Sequence, residues 1–259
     1  MRVLKTSGIV VLVVLVAVAG LLLFLAMSHT KQLRKEALLH PPPGQMVTVG
    51  GKQIHVYTDG AGDATLVFLA GHGTSNPTLD FKPLWTKLVD GYRIVAVERS
   101  GYGWSEPSRS PRDIATILEE TRTALELSGE KGPYVLFAHS MAGLEALYWA
   151  QQYPHEIEAI IGLDPCTPHA VALLPEPSMA TLYAMALVSR TGLARYMPDA
   201  DIEMNLPLMA SDDLTEEEKR DYLAVFYKSA YSRDMIREAA RLRDNAQTVA
   251  EGTAPEAIP

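Results

Sequence analysis

The residue best placed for chemistry is Ser140, which lies in the segment AHSMA, residues 138–142. An apolar run over residues 134–138 precedes the serine and a helix-forming run over residues 144–153 follows it, which predicts a strand-to-helix turn. The small residues around the serine permit a sharp turn that lifts its hydroxyl above the sheet. The N–H of Met141, at the start of the helix, would stabilise negative charge on an acyl oxygen. This pattern favours nucleophilic attack on a carbonyl group.

The elements that must position this serine alternate between strands and helices. Short, apolar runs are typical of strands buried on both faces of a parallel sheet. Four occur, at residues 66–70, 94–97, 134–138 and 157–163, the last with Glu158 near its start. Residues 46–49 and 53–57 predict a hairpin, and residues 114–127 and 144–153 predict helices. Ser110 and Pro111 are interpreted as the N-cap and the first residue of the helix over 114–127. The pattern predicts an α/β fold with a doubly wound, mostly parallel sheet.

Two more segments follow strands in the same order. GHGTSNP, residues 71–77, follows the strand over 66–70, and ERSGYGWS, residues 98–105, follows the strand over 94–97. Together with AHSMA they resemble the motifs of the α/β-hydrolase fold superfamily, over about residues 45–165. The resemblance implies a nucleophile at Ser140 and oxyanion donors at the N–H groups of Met141 and Thr74. The usual G-x-S-x-G glycines are alanines here, which is a tolerated variant.

Other polar residues near these motifs have ordinary structural interpretations. Ser140 could be a simple helix N-cap, although its context argues against this. His72 is expected to be structural, because the family uses the backbone of this loop. His139 is expected to point into the fold. The residues of the 98–105 segment are expected to be turn and packing residues.

The acid and base of the site are harder to assign. In this fold the chain order is serine, acid, histidine, and the histidines after Ser140 are His155 and His169. His155 follows a helix at the wrong edge of the sheet. His169 lies on the correct side, but the family's base follows a last strand that has no counterpart here. Asp164, at the end of the strand over 157–163, is either the acid or a capping aspartate.

The remaining segments suggest a cap and an unfinished sheet. Residues 46–165 form the predicted core, residues 166–250 a helical cap, and residues 251–259 the approach to a missing strand. The methionine and aromatic side chains of the cap, including Tyr183 and Met204, are expected to be core more often than substrate pocket. The last strands and the histidine of the fold are missing, so we expect this 259-residue form to be truncated, poorly stable and inactive. Its open sheet edge is a predicted aggregation hazard.

The N-terminus indicates a membrane segment. Residues 8–27 are uncharged and apolar over about the length that spans a bilayer. We interpret residues 1–30 as an uncleaved single-pass anchor or a cleaved signal ending near residues 26–28, and residues 31–45 as a linker. The very short tail favours a domain outside the cytoplasm. The alternative is a secreted protein.

Composition excludes several classes of protein. The net charge is −8, and because Arg2 and Lys5 are the only charged residues among the first thirty, the rest carries −10. Such an acidic domain argues against nucleic-acid binding. The single cysteine, Cys166, precludes an internal disulfide. No metal-ligand spacing or phosphate-binding loop is present in the sequence, so we expect no cofactor.

Two functions remain open from the sequence. The first is a serine hydrolase that acts on small-molecule carboxylic esters, with amides as an alternative substrate class. The second is a membrane-tethered remnant that lacks the histidine and at most binds a ligand. Epoxide hydrolases and haloalkane dehalogenases fit less well, because they use an aspartate nucleophile where Ser140 stands.

Overall fold

The computed structural model of this 259-residue chain describes residues 2–255 and 258–259, with side chains from residue 8 onward. The six strands are β1 Gln45–Val49, β2 Lys52–Asp59, β3 Thr65–Leu69, β4 Arg93–Val97, β5 Tyr134–His139 and β6 Ile157–Leu163. The α-helices are α1 Arg2–Leu39, α2 Pro77–Asp80, α3 Lys82–Trp85, α4 Ile114–Ser128, α5 Ala142–Gln152, α6 Pro168–Leu173, α7 Met179–Thr191, α8 Asp199–Asn205, α9 Glu216–Ser229 and α10 Arg233–Ala250. Short 3-10 turns lie at Pro154–Glu156, Leu193–Tyr196 and Pro207–Ala210.

The strands form one sheet in the order β1-β2-β4-β3-β5-β6. Strands β4, β3, β5 and β6 are parallel to one another, whereas β1 and β2 form an antiparallel hairpin whose second strand pairs with β4. The prediction of a mostly parallel α/β sheet is confirmed. Because parallel strands end at the same edge, the loops after β3, β4, β5 and β6 meet there.

Both faces of the sheet are covered at β3, β4 and β5, which explains the continuously apolar runs of these strands. The prediction was wrong for β6, in which Ile157 is buried and the other six residues are half-buried or exposed, because β6 lies at the edge of the sheet. On one face, Leu136 of β5 packs in a cluster that includes Trp149 of α5. On the other face, Phe68 of β3 stacks on Phe137 of β5, with 4.7 Å between the ring centroids. All five side chains of β3 are buried. The centre of the sheet is thus a rigid support for the loops at its carboxyl edge.

Helix α4 begins later than the sequence suggests. Asp113 is its N-cap, and the carboxylate accepts the N–H of Thr116 at 3.0 Å. The interpretation of Ser110 as the N-cap was wrong. The carbonyl of Ser110 instead accepts a hydrogen bond from Arg237, and the carbonyl of Arg112 accepts one from Asn245. These bonds to α10 hold residues 110–112 outside the helix.

The helices after β6 divide into two groups. Tyr222 and Phe226 of α9 lie in a buried cluster with parts of α8 and the neighbouring turns. Helix α10 packs instead on the core, where Ala246 and Val249 contact the cluster of Ile114 and Leu144. The predicted cap of residues 166–250 therefore ends in a helix that belongs to the layer over the sheet.

Two of the cap side chains named in the sequence analysis, Tyr183 and Met204, are not in the core of the cap. Tyr183 of α7 is 62% exposed and Met204 of α8 is 77% exposed. The expectation that they pack inside was wrong for these two residues. Helical spacing alone does not show which face of a cap helix is covered.

Helix α1 continues beyond the apolar segment and joins the folded domain. Residues 31–39, predicted as part of a linker, extend this helix. Arg195 donates to His29 at 2.9 Å and forms an ion pair with Glu36 at 2.6 Å. Trp104 donates to the carbonyl of His40 at 3.0 Å. This part of α1 is held by specific contacts.

Strand β6 has one neighbouring strand, β5, among the described residues. On its other side, the N–H of Ile160 donates to the carbonyl of Pro259 at 2.9 Å. The Ile161 side chain is 41% exposed. Most of this apolar edge is thus open in the described part of the chain.

A buried ion-pair network holds α10 to the core, and its loss should destabilise the fold. Arg112, fully buried, bonds Glu238 at 2.7 Å and Glu120 at 2.6 Å. We expect Arg112→Met to lower the free energy of unfolding by about 3–5 kcal/mol, because Glu238 would be left without this partner. Denaturant unfolding in detergent would measure the loss. The control Arg241→Met, at a half-exposed pair, should change stability by less than about 1 kcal/mol. Equal losses of unfolding free energy in both variants would contradict a stabilising role of the buried network.

The exposed edge at β6 should promote self-association of the 259-residue chain. We expect Ile161→Lys to reduce it, because a charge on an edge strand opposes pairing with another chain. Light scattering of the detergent-solubilised protein over a range of concentrations would show the change. Leu127→Lys on α4 is the control, since Leu127 is also exposed but lies outside the sheet. A similar effect of both substitutions would show that general charge, rather than the edge, is responsible.

Candidate active site

Ser140 occupies a strained turn between β5 and α5. Its φ is 50°, in the left-handed region that non-glycine residues rarely adopt. Such a conformation costs roughly 1–3 kcal/mol and persists where the surroundings enforce it. Here the N–H of Ser140 donates to the carbonyl of Leu163 at 3.2 Å, and its carbonyl accepts the N–H of Cys166 at 2.7 Å. The end of β6 therefore holds the serine in this conformation.

A glycine in the next turn permits this packing. A Cβ on Gly143 would lie 2.6 Å from the carbonyl oxygen of Cys166. Gly143 stands one place after the usual glycine of the serine motif. In this chain the absence of a side chain at Gly143 permits close contact between α5 and the segment after β6.

The loop after β3 touches the serine directly. A Cβ on Gly71 would lie 2.8 Å from the Cβ of Ser140. Arg99, from the loop after β4, donates to the carbonyl of Gly71 at 3.4 Å and bonds Glu145 in the first turn of α5 at 3.1 Å. Arg99 was predicted to be a turn and packing residue. It connects the loop after β3 to the helix that begins at the serine.

The two predicted oxyanion donors are free to bind a ligand. Among the residues that the structure describes, the N–H groups of Thr74 and Met141 have no hydrogen-bond acceptor. Met141 directly precedes α5, and Thr74 lines a cavity over the loop after β3. Their joint role in binding one oxygen stays a prediction.

Asp164 lies beside the serine on the chain that follows β6. It is flanked by Leu163 and Cys166, both of which bond the backbone of Ser140. Its φ is also 50°, and its side chain is exposed. Within the described part of the chain its carboxylate has no hydrogen-bond partner. An exposed carboxylate at this position is free to orient an imidazole, so its role as the acid stays a prediction.

The two later histidines are not bonded to the serine. His169 is exposed in the first turn of α6, and His155 lies in the turn before β6, at the opposite edge of the sheet. Over residues 8–255 and 258–259, no hydrogen bond joins any histidine to Ser140. Ser140 thus directly precedes Met141 and is bonded through its backbone to the residues on either side of Asp164 and Pro165, while the catalytic roles of these residues stay predictions.

His72 and His139 both line the larger of two cavities over the loop after β3. His139 was expected to point into the fold, but it is exposed and lies edge-on to Phe81, with 6.3 Å between the ring centroids. Burial lowers the pKa of His72, so its imidazole is neutral at neutral pH. Its Nδ1 atom is buried without a partner among the described residues.

Two cavities of about 530 Å³ and 320 Å³ lie between this loop and the cap. Both are lined by His72, Gly73, Ser75 and Asn205, and volumes of this order accommodate small ligands. Ser140 itself lines neither cavity, although its neighbour His139 lines the larger one.

Backbone strain in the described chain concentrates at this site. The non-glycine residues with positive φ are Ser140, Asp164 and Tyr231. Tyr231 lines the smaller cavity from the cap side. Strained residues tend to cluster at functional sites. Neither Tyr231 nor Asn205 was predicted, because these cap residues belong to no sequence motif.

Comparison with known proteins agrees with this geometry. Residues 66–202 match the family model of the alpha/beta hydrolase fold. The chain is 38% identical over 261 residues to the uncharacterized protein YbdG of Bacillus subtilis, and the match covers 98% of this chain and 80% of that protein.

Solved structures share the fold at low sequence identity. An esterase from Exiguobacterium antarcticum has a TM-score of 0.54 at 18% identity, over 78% of this chain and 74% of the esterase. Epoxide hydrolase VrEH1 from Vigna radiata has a TM-score of 0.54 at 20% identity, over 80% and 73%. Since these two enzymes act on different substrates, the likeness concerns the fold alone. The match to the family model and the similarity to YbdG show that this chain belongs to the alpha/beta hydrolase fold family.

Proposed function

We propose that this hydrolase-family chain is built for serine hydrolysis of small carboxylic esters. The observation that carries the proposal is the strained backbone of Ser140, held at φ 50° between a buried strand and a helix N-terminus. In this fold, a strained turn of this kind presents the serine hydroxyl above the sheet. The N–H groups of Thr74 and Met141, which have no acceptor among the described residues, support the proposal as oxyanion donors. An ordinary N-cap serine needs no such strain, as Ser178 of α7 shows with a φ of −69°.

In the proposed reaction, the Oγ of Ser140 attacks the acyl carbonyl and a general base takes its proton. Within the described residues no histidine is bonded to Ser140, and His169, exposed on the same side of the sheet, is the candidate for this base. The negative oxygen of the tetrahedral intermediate accepts the N–H groups of Thr74 and Met141. The alcohol leaves with the proton from the base, and water then hydrolyses the acyl-enzyme. Asp164 would orient and stabilise the protonated imidazole.

A ligand-binding protein without catalysis is the second candidate. It is favoured by one observation: within the described residues no histidine bonds Ser140. A serine hydroxyl without a base is a weak nucleophile. The cavities could then still hold an ester or amide without cleaving it.

We also propose that α1 anchors the domain in a membrane, with the domain outside the cytoplasm. The apolar segment is one helix, long enough to span a bilayer and not buried in the fold. The helix continues without interruption through residues 26–28, where a signal would be cleaved, and His29 is buried against the cap. This continuity supports an anchor over a cleaved signal and a secreted protein.

Ser140 should react selectively with a fluorophosphonate probe. The hydrolase proposal predicts that the chain is labelled and that Ser140→Ala abolishes the label, because only an activated serine attacks the phosphorus centre at a useful rate. The expectation of an inactive form predicts no labelling. Fluorescence on a denaturing gel, with the labelled peptide mapped by mass spectrometry, would measure this. Ser178→Ala is the matched control, since Ser178 is an exposed serine at a helix N-terminus.

The outcomes separate the two candidate functions. Labelling lost only in Ser140→Ala supports the hydrolase. A folded chain that is not labelled, while it binds a non-hydrolysable ester analogue, supports the ligand-binding protein.

The position of Gly71 predicts a second effect on the reactivity of Ser140. We expect Gly71→Ala to slow labelling by roughly a hundredfold, because a methyl group 2.8 Å from the Cβ of Ser140 displaces the serine or the loop. Second-order rate constants of labelling would measure the change. Gly91→Ala is the control, because a Cβ there meets no atom within 4 Å. Unchanged labelling in Gly71→Ala would contradict the close contact.

A further inference from the structure

The outer face of α7 is unusual for a helix in contact with water. Over Met179–Thr191 the helix carries one charged residue, Arg190 near its end. Its exposed side includes Tyr183 and Leu187, which are 62% and 53% exposed and four residues apart. Residues at this spacing share one face of a helix. A half-exposed helix in a soluble domain usually has a charged outer face, so this face is suited to an apolar or interfacial environment.

Helix α7 lies against the last turns of the apolar part of α1. The two helices pack together, and a Cβ on Gly192, after α7, would lie 2.7 Å from the Cβ of His29. Within residues 8–27, the half-buried side chains are Leu22, Leu25 and Ala26, and the others are exposed. Together with His29 these residues have helical i, i+3, i+4 and i+7 spacing. The face of α1 that contacts the cap therefore extends into the apolar segment.

The length of this overlap corresponds to the depth of a membrane interface. Leu22 precedes Met27 by five residues, which is roughly 7.5 Å along a helix at about 1.5 Å per residue. Helices that lie in an interface bury their apolar face to about 5–10 Å. When α1 spans a bilayer, the part of the cap beside Leu22–Ala26 reaches this depth.

Positive charge lies where lipid phosphates would be. A cavity of about 490 Å³ is lined by His29 and Thr30, which lie two and three residues past the apolar segment of α1. Its described lining contains five basic side chains and no acidic one. The basic residues are Lys52, Arg109, Arg190, Lys228 and Arg233. Anionic headgroups are attracted to such clusters just outside the hydrocarbon region.

We propose that the exposed apolar face of α7 lies in the interface of the bilayer that α1 crosses, with anionic phospholipid phosphates against the basic cavity. The cap is then in contact with lipid, while the sheet and α4 face water. This inference rests on the proposed membrane anchor and is independent of the reaction at Ser140.

Site-specific fluorescence in vesicles tests this contact. In a Cys166→Ser background, Leu187→Cys is labelled with an environment-sensitive fluorophore, and the full chain is reconstituted in vesicles of anionic and zwitterionic phospholipids. Some of these lipids carry a nitroxide quencher near the headgroup. Leu127→Cys on α4 is the matched control, since Leu127 and Leu187 are the same residue type and both 53% exposed. Val14→Cys, in the middle of the apolar segment, reports the anchor itself.

We expect quenching at Leu187→Cys to be several-fold stronger than at Leu127→Cys, with a blue-shifted emission. Equal quenching at the two positions, with Val14→Cys protected from water, overturns the contact of α7 and leaves the anchor intact. A Val14→Cys label that stays exposed to water shows that α1 does not insert, which overturns the anchor and this inference together. Neither result depends on whether Ser140 reacts.

Discussion

The architecture depends on one carboxylate that is removed from water and shared by separate parts of the chain. Glu238 of α10 has no exposed surface, and Arg112, Arg99 and Tyr102 surround it. A buried carboxylate is tolerable only with such partners, and the pKa of Glu238 is accordingly lowered by the two arginines against the effect of burial. Since Arg99 also reaches Gly71 and Glu145, the same charges fix the cap's last helix, the loop after β3 and the helix that follows Ser140.

This coupling explains how a strained serine is maintained. The left-handed backbone conformation of Ser140 is one that non-glycine residues disfavour. It is compensated by hydrogen bonds from the end of β6 and by the contact with Gly71. The site therefore depends on three loops at one sheet edge, two of which follow the buried strands β3 and β5 and one of which follows the partly exposed edge strand β6.

The elements that have a strong local sequence pattern could be predicted from the sequence alone. The buried strands, the turn at Ser140 and the long apolar helix were predicted from their own residues, because apolar runs and helix signals are local. The start of α4 was not, since bonds to α10, more than a hundred residues away, decide it. The exposure of His139, Tyr183 and Met204 was missed for the same reason: burial depends on neighbours that no local pattern names. The roles of Thr74, Met141 and Asp164 remain predictions.

The unbroken length of α1 has a mechanical consequence. A helix of 38 residues is roughly 57 Å long at about 1.5 Å per residue, and its last turns are held to the cap through His29 and Glu36. Such a helix is a stiff connection between the apolar segment and the folded domain, not a flexible linker. Any rocking of the folded domain must appear as a tilt of the apolar segment, and a change in the tilt of that segment must reorient the loops around Ser140.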